Sequence, residues 1–239
     1  MTRYRLRLVD ARMLSPSVRG LRFVAEGASP RYLAGQSMDL LVPASTGLVM
    51  RRPYSIASAP GQAGPGCVEF AVTLVEGGPT STALHELAPG SVVEALGPNR
   101  GWLARRENER DVPTLLVATG SGLAPFRALL QDDLQRRDGP PIALVFGCRT
   151  QADILWRDEL ERWAATVPRF SLTVTLSRAD RGWTGAKGWV QEHVVRVART
   201  IDAGLVLLCG LSPMTDAVER IVVDIGVPSS RIRVEAYDS

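Results

Sequence analysis

Apolar residues recur at two different spacings in the two halves of the chain. In the first half they alternate with polar residues, as at Tyr4 to Val9 and Val18 to Val24, where arginines occupy several of the polar positions. A period of two is typical of strands that bury one face. Four further strands are predicted, at 37–42, 54–57, 67–75 and 91–96, and turns rich in Gly and Pro lie between them. Many short strands joined by such turns predict a small antiparallel β-barrel.

Beyond the polar stretch Ala104 to Asp111, continuous apolar runs replace the alternation. Five such runs, at 114–118, 142–146, 170–176, 205–209 and 232–234, alternate with helix-like stretches at 125–137, 155–165, 187–199 and 213–225. This order is typical of a parallel sheet with helices on both faces. We therefore predict a two-domain β plus α/β protein. Residues 1–108 form the antiparallel barrel, and residues 109–239 form a five-stranded parallel-sheet domain.

Length and composition indicate a class of protein but no function. The 239 residues are 45% hydrophobic and 22% charged, which suits a globular protein with a buried core. The formal net charge of +3 is too small to indicate nucleic-acid or membrane binding, and the apolar runs are too short for a transmembrane helix. We therefore expect a cytoplasmic monomer with no nucleic-acid or membrane partner.

The cysteines and histidines do not suggest a metal site. Cys67, Cys148 and Cys209 lack the close pairing that zinc or iron–sulfur ligation needs. His85 and His193 lie on helix-like segments without a third ligand nearby, so we interpret both as surface or helix-capping residues. No metal is expected, and any metal centre in the reaction must belong to another molecule.

A glycine-rich loop follows the first continuous strand. Residues 118–126 read Ala-Thr-Gly-Ser-Gly-Leu-Ala-Pro-Phe and open a predicted helix. Glycine lets backbone amides approach a ligand and a helix N-terminus attracts phosphate, so this loop can bind a dinucleotide pyrophosphate. Its Gly-x-Gly-x-x-Pro spacing departs from the Gly-x-Gly-x-x-Gly fingerprint, so an ordinary strand-to-helix turn is an equal alternative.

Two short motifs in the first half combine groups that bind anions and flat ligands. Residues 52–55, Arg-Pro-Tyr-Ser, offer a guanidinium, an aromatic ring and a hydroxyl within one strand. Residues 77–82, Gly-Gly-Pro-Thr-Ser-Thr, offer amides and hydroxyls before a short helix. Each motif has a purely structural alternative, an exposed arginine beside a half-buried tyrosine in the first and a capped turn in the second.

The order of these motifs resembles that of the ferredoxin–NADP reductase superfamily. The resemblance spans nearly the whole chain and extends to Cys209-Gly210 at a strand end and to Glu235-Ala236-Tyr237 near the last residue. It implies a flavin-binding barrel followed by a pyridine-nucleotide domain, in a stand-alone reductase without an iron–sulfur domain. FAD is the implied flavin, and FMN is the alternative.

The resemblance also implies a role for each motif residue. Arg52 meets the flavin phosphate, Tyr54 stacks on the isoalloxazine ring, and Ser55 bonds near the flavin N5. The other implied cofactor-binding residues are Pro53, Gly78, Ser81 and Thr82 for the flavin, and Thr119, Gly120, Gly122, Pro125, Arg149, Cys209 and Gly210 for the nicotinamide dinucleotide. The catalytic candidates are Ser55, Cys209, Glu235 and Tyr237. The Tyr237 ring is expected to cover the flavin face that the nicotinamide must reach, so it must move before hydride transfer.

A second group of residues bears on the choice between NADPH and NADH. Its members are Ser177, Arg178, Lys187, Trp189 and Gln191. Ser-Arg followed by Lys-x-aromatic-x-Gln resembles the NADPH-using branch, with Trp189 in place of the usual Tyr. Cations and a hydroxyl suit a 2′-phosphate, and a flat ring suits an adenine. Residues 183–185, Trp-Thr-Gly, and Gly188 also resemble NADH-using oxygenase reductases, so NADPH is the prediction and NADH the alternative.

The predicted function is that of a flavoprotein oxidoreductase. It transfers a hydride from NADPH to bound FAD and passes electrons to an external acceptor, which is a ferredoxin, a flavodoxin, an oxygenase component or a small molecule. One alternative is an NADH-dependent reductase component of an oxygenase, or a flavin or ferric reductase. Another is a non-catalytic flavin- and nucleotide-binding subunit of an electron-transfer complex.

Overall fold

The computed structural model describes residues 1–43 and 49–237. These residues divide into two compact units. Unit 1 comprises residues 1–104 and 124–133, and unit 2 comprises residues 105–123 and those from 134 onward. The boundary between independently folding domains at residue 108 stays a prediction.

Unit 1 is built on an antiparallel sheet of six strands. They are β1 (Thr2–Ser15), β2 (Val18–Ala25), β3 (Ser37–Pro43), β4 (Val49–Ser55), β5 (Cys67–Thr73) and β6 (Val92–Gly97), in the spatial order β4-β3-β6-β1-β2-β5. An antiparallel bridge between Ile56 and Phe70 links the two ends of this order, so the sheet curls toward a barrel as predicted. Helix α1 (Pro79–Glu86) lies between β5 and β6.

The alternation along the strands of unit 1 separates its core from its surface. The inward residues of β1, β2 and β5 are almost completely buried: Leu6, Leu8, Leu21, Phe23, Val68 and Phe70. Phe23 and Phe70 meet edge to face, with ring centroids 6.1 Å apart. On the outer side, Arg5 and Arg7 both pair with Glu26. Arg5 and Arg7 therefore lie on the solvated side of the sheet.

Unit 2 is built on a parallel sheet of six strands in the order β10-β9-β8-β7-β11-β12. Five are the predicted strands: β7 (Thr114–Thr119), β8 (Ile142–Cys148), β9 (Phe170–Leu176), β11 (Leu205–Leu211) and β12 (Ile232–Tyr237). The sixth, β10 (Ala186–Lys187), pairs with the end of β9. The predicted number of five was thus one too low, because a strand of two residues is too short to show a periodicity.

Helices cover both faces of this parallel sheet, as predicted. Helix α4 (Gln191–Ile201) and helix α5 (Ser212–Asp224) share a core with one face, where Val194 and Val218 join Val117 and Val145. Helix α3 (Arg157–Thr166) covers the other face, where Trp163 meets Phe170 with ring centroids 6.5 Å apart. In the part of the chain that the structure describes, every helix is too short or too polar to cross a bilayer.

Helix α2 (Leu123–Asp133) follows β7 in the chain, and its residues 124–133 are grouped with unit 1. Arg127 is only 7% exposed, and its guanidinium donates to Ala57 O at 2.8 Å and pairs with Glu69 at 2.5 Å. The Ala59 amide donates to Gln131 Oε1 at 2.9 Å. These bonds attach α2 to the segment that follows β4, an attachment that the helical spacing alone does not indicate.

A buried ion pair ties the start of unit 2 to its last strand. Glu109 ends a single 3-10 turn before β7, and its carboxylate pairs with Arg233 on β12 and accepts the Arg106 N–H at 2.7 Å. The Arg233 and Glu109 side chains are only 8% and 4% exposed. Burial alone would raise the pKa of Glu109, but the bonds from Arg233 and Arg106 outweigh it and lower the pKa below its usual value.

We expect Glu109→Gln to destabilise unit 2 by about 3 kcal/mol at neutral pH, because it removes the negative charge from a buried ion pair. Since the pKa of Glu109 is lowered by folding, its stabilising contribution is present above the unfolded pKa of about 4.3 and is lost as the pH falls through the folded value. The stability difference between variant and wild type should therefore shrink below about pH 4. Urea denaturation of the full chain across this pH range measures it.

Glu107→Gln is the matched control, because the Glu107 side chain lies in the same turn but is 92% exposed. Its substitution should change the free energy of unfolding by less than about 0.5 kcal/mol. Equal losses in the two variants would contradict the role of the buried pair.

Candidate functional site

The residues predicted to bind the nucleotide lie along one edge of the unit 2 sheet. Its strands are parallel, so their carboxyl ends share an edge. Thr119 ends β7, Arg149 follows β8, Ser177 and Arg178 follow β9, Lys187 ends β10, Cys209 and Gly210 lie in β11, and Glu235 and Tyr237 lie in β12. Trp189 and Gln191 follow β10 where α4 begins. In open α/β sheets, ligands bind outside the carboxyl ends of the strands, where the strand order reverses.

That reversal lies between β7 and β11, where the glycine-rich loop forms a 3-10 turn. Gly120 is exposed with φ +54°, and no atom of the described residues lies within 4 Å of the position that a Cβ would take. Gly122 lies against β11, where a Cβ would contact the Cys209 carbonyl and lie 2.9 Å from the Gly210 nitrogen. The first glycine supplies a left-handed backbone, and the second lets the loop approach the strand closely.

The Thr119 hydroxyl is buried where the loop meets the end of β11, and it has no hydrogen-bond partner among the described residues. Gly210 lies opposite with φ +151°, and a Cβ there would contact this hydroxyl oxygen. The Thr119 side chain does not cap the turn that follows it. A buried polar group without a partner is unfavourable, and an amide-lined turn attracts anions. This arrangement fits a dinucleotide pyrophosphate.

Three of the catalytic candidates lie together at the ends of β11 and β12. Cys209 lies beside Glu235 in the strand register. The Cys209 thiol donates to Tyr237 Oη at 3.2 Å, and the Tyr237 hydroxyl lies 3.5 Å from Glu235 Oε1, the long end of a hydrogen bond. Complete burial raises the pKa of the Cys209 thiol well above its usual value, and the Glu235 charge raises it further. Cys209 is therefore a neutral donor and not a thiolate nucleophile.

The two cations of the second group, Arg178 and Lys187, are exposed, as is Arg149 of the dinucleotide set. None of these three pairs with a carboxylate within residues 1–43 and 49–237. Trp189 is 65% exposed, which is unusual for so large an aromatic ring. The buried Gln191 Oε1 atom has no partner in the described part of the chain. Unpaired cations beside a flat exposed ring fit a phosphate next to an adenine.

Backbone bonds join the loops that carry these cations. The Ser177 amide donates to Cys148 O at 3.0 Å, and the Arg178 amide donates to Arg149 O at 2.8 Å. The residues that follow β8 and β9 are therefore held side by side. Cys148 itself is partly buried, and burial raises its pKa to about 12, so we assign it no chemistry.

In unit 1, two successive arginines of β4 have different surroundings. Arg51 pairs with the buried Asp39, whereas Arg52 is exposed and bonds only to Arg51 O at 3.1 Å among the described residues. Tyr54 lies half-buried against the core, and burial raises its pKa to about 12 although Arg52 opposes the rise. Arg52 and Tyr54 share a strand face, so an exposed guanidinium and a neutral phenol ring lie side by side.

The remaining predicted flavin residues lie at the end of β4 and at the start of α1. Ser55 is buried, and Pro53 is exposed. Gly78 is the N-cap of α1, and among the described residues no side chain caps the first amides of the helix. The Ser81 hydroxyl accepts the Val75 N–H at 3.1 Å and donates to Gly78 O at 3.0 Å, so it closes the turn. The uncapped amides, and not this hydroxyl, therefore fit a flavin phosphate.

Two polar residues at the predicted nucleotide site of unit 2, Thr175 and His193, were not predicted from the sequence. Thr175 in β9 is completely buried, and its hydroxyl donates to Gly188 O at 2.9 Å. His193, which we interpreted as a surface or capping residue, is half-buried and bonds to both Thr175 and Lys187 O. No local motif connects positions 175 and 193. Only the pairing of β9 with the short strand β10 brings them together.

Two family models match the chain. The oxidoreductase FAD-binding domain matches residues 5–102, and the oxidoreductase NAD-binding domain matches residues 116–220. The first range contains the motifs at 52–55 and 77–82, and the second contains the glycine-rich loop and the cationic group.

Two relatives extend the match over the chain. Ferredoxin–NADP reductase B of Sorangium cellulosum (strain So ce56) is 40% identical over 243 residues, which cover 98% of both chains. The toluate 1,2-dioxygenase electron transfer component of Pseudomonas putida is 31% identical over 98% of this chain and 67% of its own length.

Solved structures share the fold. The Amycolatopsis cytochrome P450 reductase GcoB superposes with a TM-score of 0.86 at 23% identity, over 100% of this chain and 70% of its own. The FAD/NAD binding domain of nitric oxide dioxygenase from Vibrio cholerae O1 biovar El Tor superposes with a TM-score of 0.87 at 20% identity, over 99% of both chains.

The family models and the full-length relative confirm the predicted family, enzyme class and cofactor types, whereas the roles of individual residues stay predictions. Both units carry groups that fit their ligands: the first amides of α1 and the exposed Arg52 in unit 1, and the Gly120–Gly122 turn with the buried Thr119 hydroxyl in unit 2. The chain belongs to the ferredoxin–NADP reductase superfamily and is an NAD(P)H-dependent flavoprotein oxidoreductase that binds FAD.

Proposed function

We propose that this protein is a cytoplasmic reductase that uses NADPH to reduce FAD and delivers the electrons to a ferredoxin, a flavodoxin or an oxygenase component. The choice of NADPH depends on one observation, the exposed cations Arg178 and Lys187, which have no carboxylate partner in the described chain. The names of the two relatives, a ferredoxin–NADP reductase and an oxygenase electron transfer component, support the class of acceptor.

The residues of unit 1 would hold the flavin by charge and by a flat surface. The Arg52 guanidinium and the uncapped amides of α1 would bind its phosphates. The Tyr54 ring offers a stacking face, and its pKa of about 12 keeps the phenol neutral across physiological pH. When bound, FAD supplies an acceptor for the hydride of NADPH and a donor of electrons to the next protein.

The residues of unit 2 would hold and orient the nicotinamide nucleotide. The turn amides and the Thr119 hydroxyl would bind its pyrophosphate, and the exposed cations its 2′-phosphate. The neutral Cys209 thiol and the Glu235 carboxylate would border the nicotinamide ring. Because the cofactors carry the hydride chemistry, the work of these side chains is orientation and exclusion of water.

An NADH-dependent oxygenase reductase is the second candidate, and two carboxylates at the same edge favour it. A carboxylate at this position can accept a bond from a ribose 2′-hydroxyl. Asp180 accepts bonds from Gln151 Nε2 at 3.1 Å and from the Gly182 N–H at 2.9 Å, and Glu192 accepts the Trp189 N–H at 2.7 Å. Local donors already occupy both carboxylates, so we rank this candidate below the first.

A paired activity assay tests the proposed function. The purified protein would be heated to release its flavin for identification, and ferricyanide reduction would be measured with NADPH and with NADH. We expect FAD and a kcat/KM at least about tenfold higher for NADPH, which corresponds to about 1.4 kcal/mol of discrimination. A higher kcat/KM for NADH would favour the second candidate, and a protein without flavin or activity would refute both.

We expect Thr119→Val to weaken NADP⁺ binding about fivefold without lowering the stability of the nucleotide-free protein. The variant removes a buried hydroxyl that has no partner among the described residues, so its loss leaves no protein group unsatisfied. Calorimetric titration and thermal unfolding measure the two effects. Thr119→Ser, which keeps the hydroxyl, should bind like the wild type, and a Thr119→Val protein with unchanged affinity would refute the pyrophosphate contact.

Arg178→Ala combined with Lys187→Ala should raise the KM for NADPH at least about tenfold, because each residue contributes a charge-assisted bond to the 2′-phosphate. The KM for NADH should change less than about twofold, since NADH lacks that phosphate. Steady-state kinetics with both nucleotides measure the split. Arg199→Ala, an exposed arginine at the last turn of α4, is the control and should change neither value. A similar rise in the KM values for NADPH and NADH would contradict the assignment of Arg178 and Lys187 to the 2′-phosphate.

Tyr237→Ser should lower the dissociation constant of NADP⁺ on the order of tenfold, because we propose that the Tyr237 ring occupies the place beside Cys209 that the nicotinamide takes. Tyr237→Phe keeps the ring and should bind NADP⁺ like the wild type. Titration of the flavin absorbance with NADP⁺ compares the three proteins. If the serine variant binds NADP⁺ no more tightly than the wild type, Tyr237 does not act as a gate.

A further inference from the structure

His193 bonds to backbone and side chain where β9, β10 and α4 meet. Its Nε2 lies 3.0 Å from Lys187 O and 3.1 Å from Thr175 Oγ1. A carbonyl oxygen can only accept, so Nε2 carries the hydrogen and donates it. The Thr175 hydroxyl donates in turn to Gly188 O at 2.9 Å. One imidazole and one hydroxyl therefore hold two successive carbonyls, those of residues 187 and 188.

These bonds matter because the strand that carries Lys187 is very short. Strand β10 consists of Ala186 and Lys187 alone, paired with Thr175 and Leu176. The chain then turns at Gly188, which has φ +93° and donates its N–H to Leu176 O at 3.1 Å. A ladder of two residues fixes a backbone only weakly. Thr175 is completely buried in the sheet, so it provides a rigid anchor.

The same corner also fixes the main chain of Trp189. The Trp189 backbone N–H donates to Glu192 Oε1 at 2.7 Å, and Glu192 lies one residue before His193 in the first turn of α4. Lys187 and Trp189, the cation and the flat ring of the predicted nucleotide group, are thus held by bonds to their main chain. Their own side chains remain exposed.

We propose that His193 and Thr175 are positioning residues for NADPH. They touch no ligand, and they hold the main chain of Lys187 so that its ammonium group meets the 2′-phosphate. Lys187 is the single lysine among 28 basic residues, so no other lysine can replace it. A long flexible ammonium side chain gains precision when its backbone is fixed. The proposal rests on the preference for NADPH proposed above.

The test uses the full-length protein and two small probes, 2′,5′-ADP and 5′-AMP, which differ only in the 2′-phosphate. His193→Leu removes the donor, and His193→Gln retains an N–H donor at similar reach. We expect His193→Leu to weaken 2′,5′-ADP binding about fivefold while 5′-AMP binding changes less than twofold. His193→Gln should restore most of the affinity, and Thr175→Val should behave like His193→Leu. Calorimetric titration gives the affinities without any turnover.

His85→Leu is the matched control, because His85 is the other histidine of the chain and bonds to Val72 O at 2.8 Å in unit 1. It should change neither affinity. Thermal unfolding reports whether each variant is folded. If His193→Leu does not fold, the milder substitution Thr175→Val provides the test.

The outcomes separate this inference from the proposed function. If the folded variants lose affinity for both probes equally, the two residues only support the fold, and the inference is wrong. Unchanged 2′,5′-ADP binding in the folded variants also overturns it. If the wild-type protein binds 2′,5′-ADP no more tightly than 5′-AMP, the proposed use of NADPH fails first, and this inference fails with it.

Discussion

The parallel pairing of β7 with β11 is the constraint on which the predicted nucleotide site depends, at the carboxyl-end edge of the unit 2 sheet. It places Ala118 beside Cys209 in register, so the glycine-rich loop leaves β7 directly against the end of β11. That closeness explains the glycines on both sides, since a Cβ at Gly122 or Gly210 would contact the opposite strand end. It also encloses the Thr119 hydroxyl with no protein partner among the described residues. The close approach of the loop to β11 and the burial of the Thr119 hydroxyl are thus two results of one strand pairing.

In unit 1, the two ends of helix α1 differ, because side chains bond to its C-terminal end and not to its N-terminal amides among the described residues. Arg19 on β2 donates to the carbonyls of Leu84 at 3.2 Å and Leu87 at 2.8 Å, and the His85 ring bonds to β5. A guanidinium at the C-terminal end of a helix satisfies orphan carbonyls and complements the helix dipole. The N-terminal amides have no side-chain cap among the described residues, so their hydrogen-bonding capacity can serve a ligand.

The parts of the fold that could be predicted are those with a regular spacing. Period-two strands and continuous apolar strands gave the antiparallel barrel and the parallel sheet, because burial of one or both faces leaves a direct trace in the sequence. Strand β10 has only two residues and shows no periodicity, so the contact between Thr175 and His193 could not be predicted either. Glu109 was equally hidden, since in a polar stretch of arginines and acids nothing distinguishes the one carboxylate that becomes buried.

The ionisable groups near the predicted cofactor contacts show what kind of chemistry the protein supports. Burial raises the pKa of Tyr54 to about 12 and raises that of Cys209 well above its usual value, so both remain neutral throughout the physiological range. A general acid or base would instead need a pKa close to the working pH. Hydride transfer between two cofactors needs no such group. In the function proposed above, the exposed cations would recognise phosphate, and the neutral buried side chains would exclude water around the reacting rings.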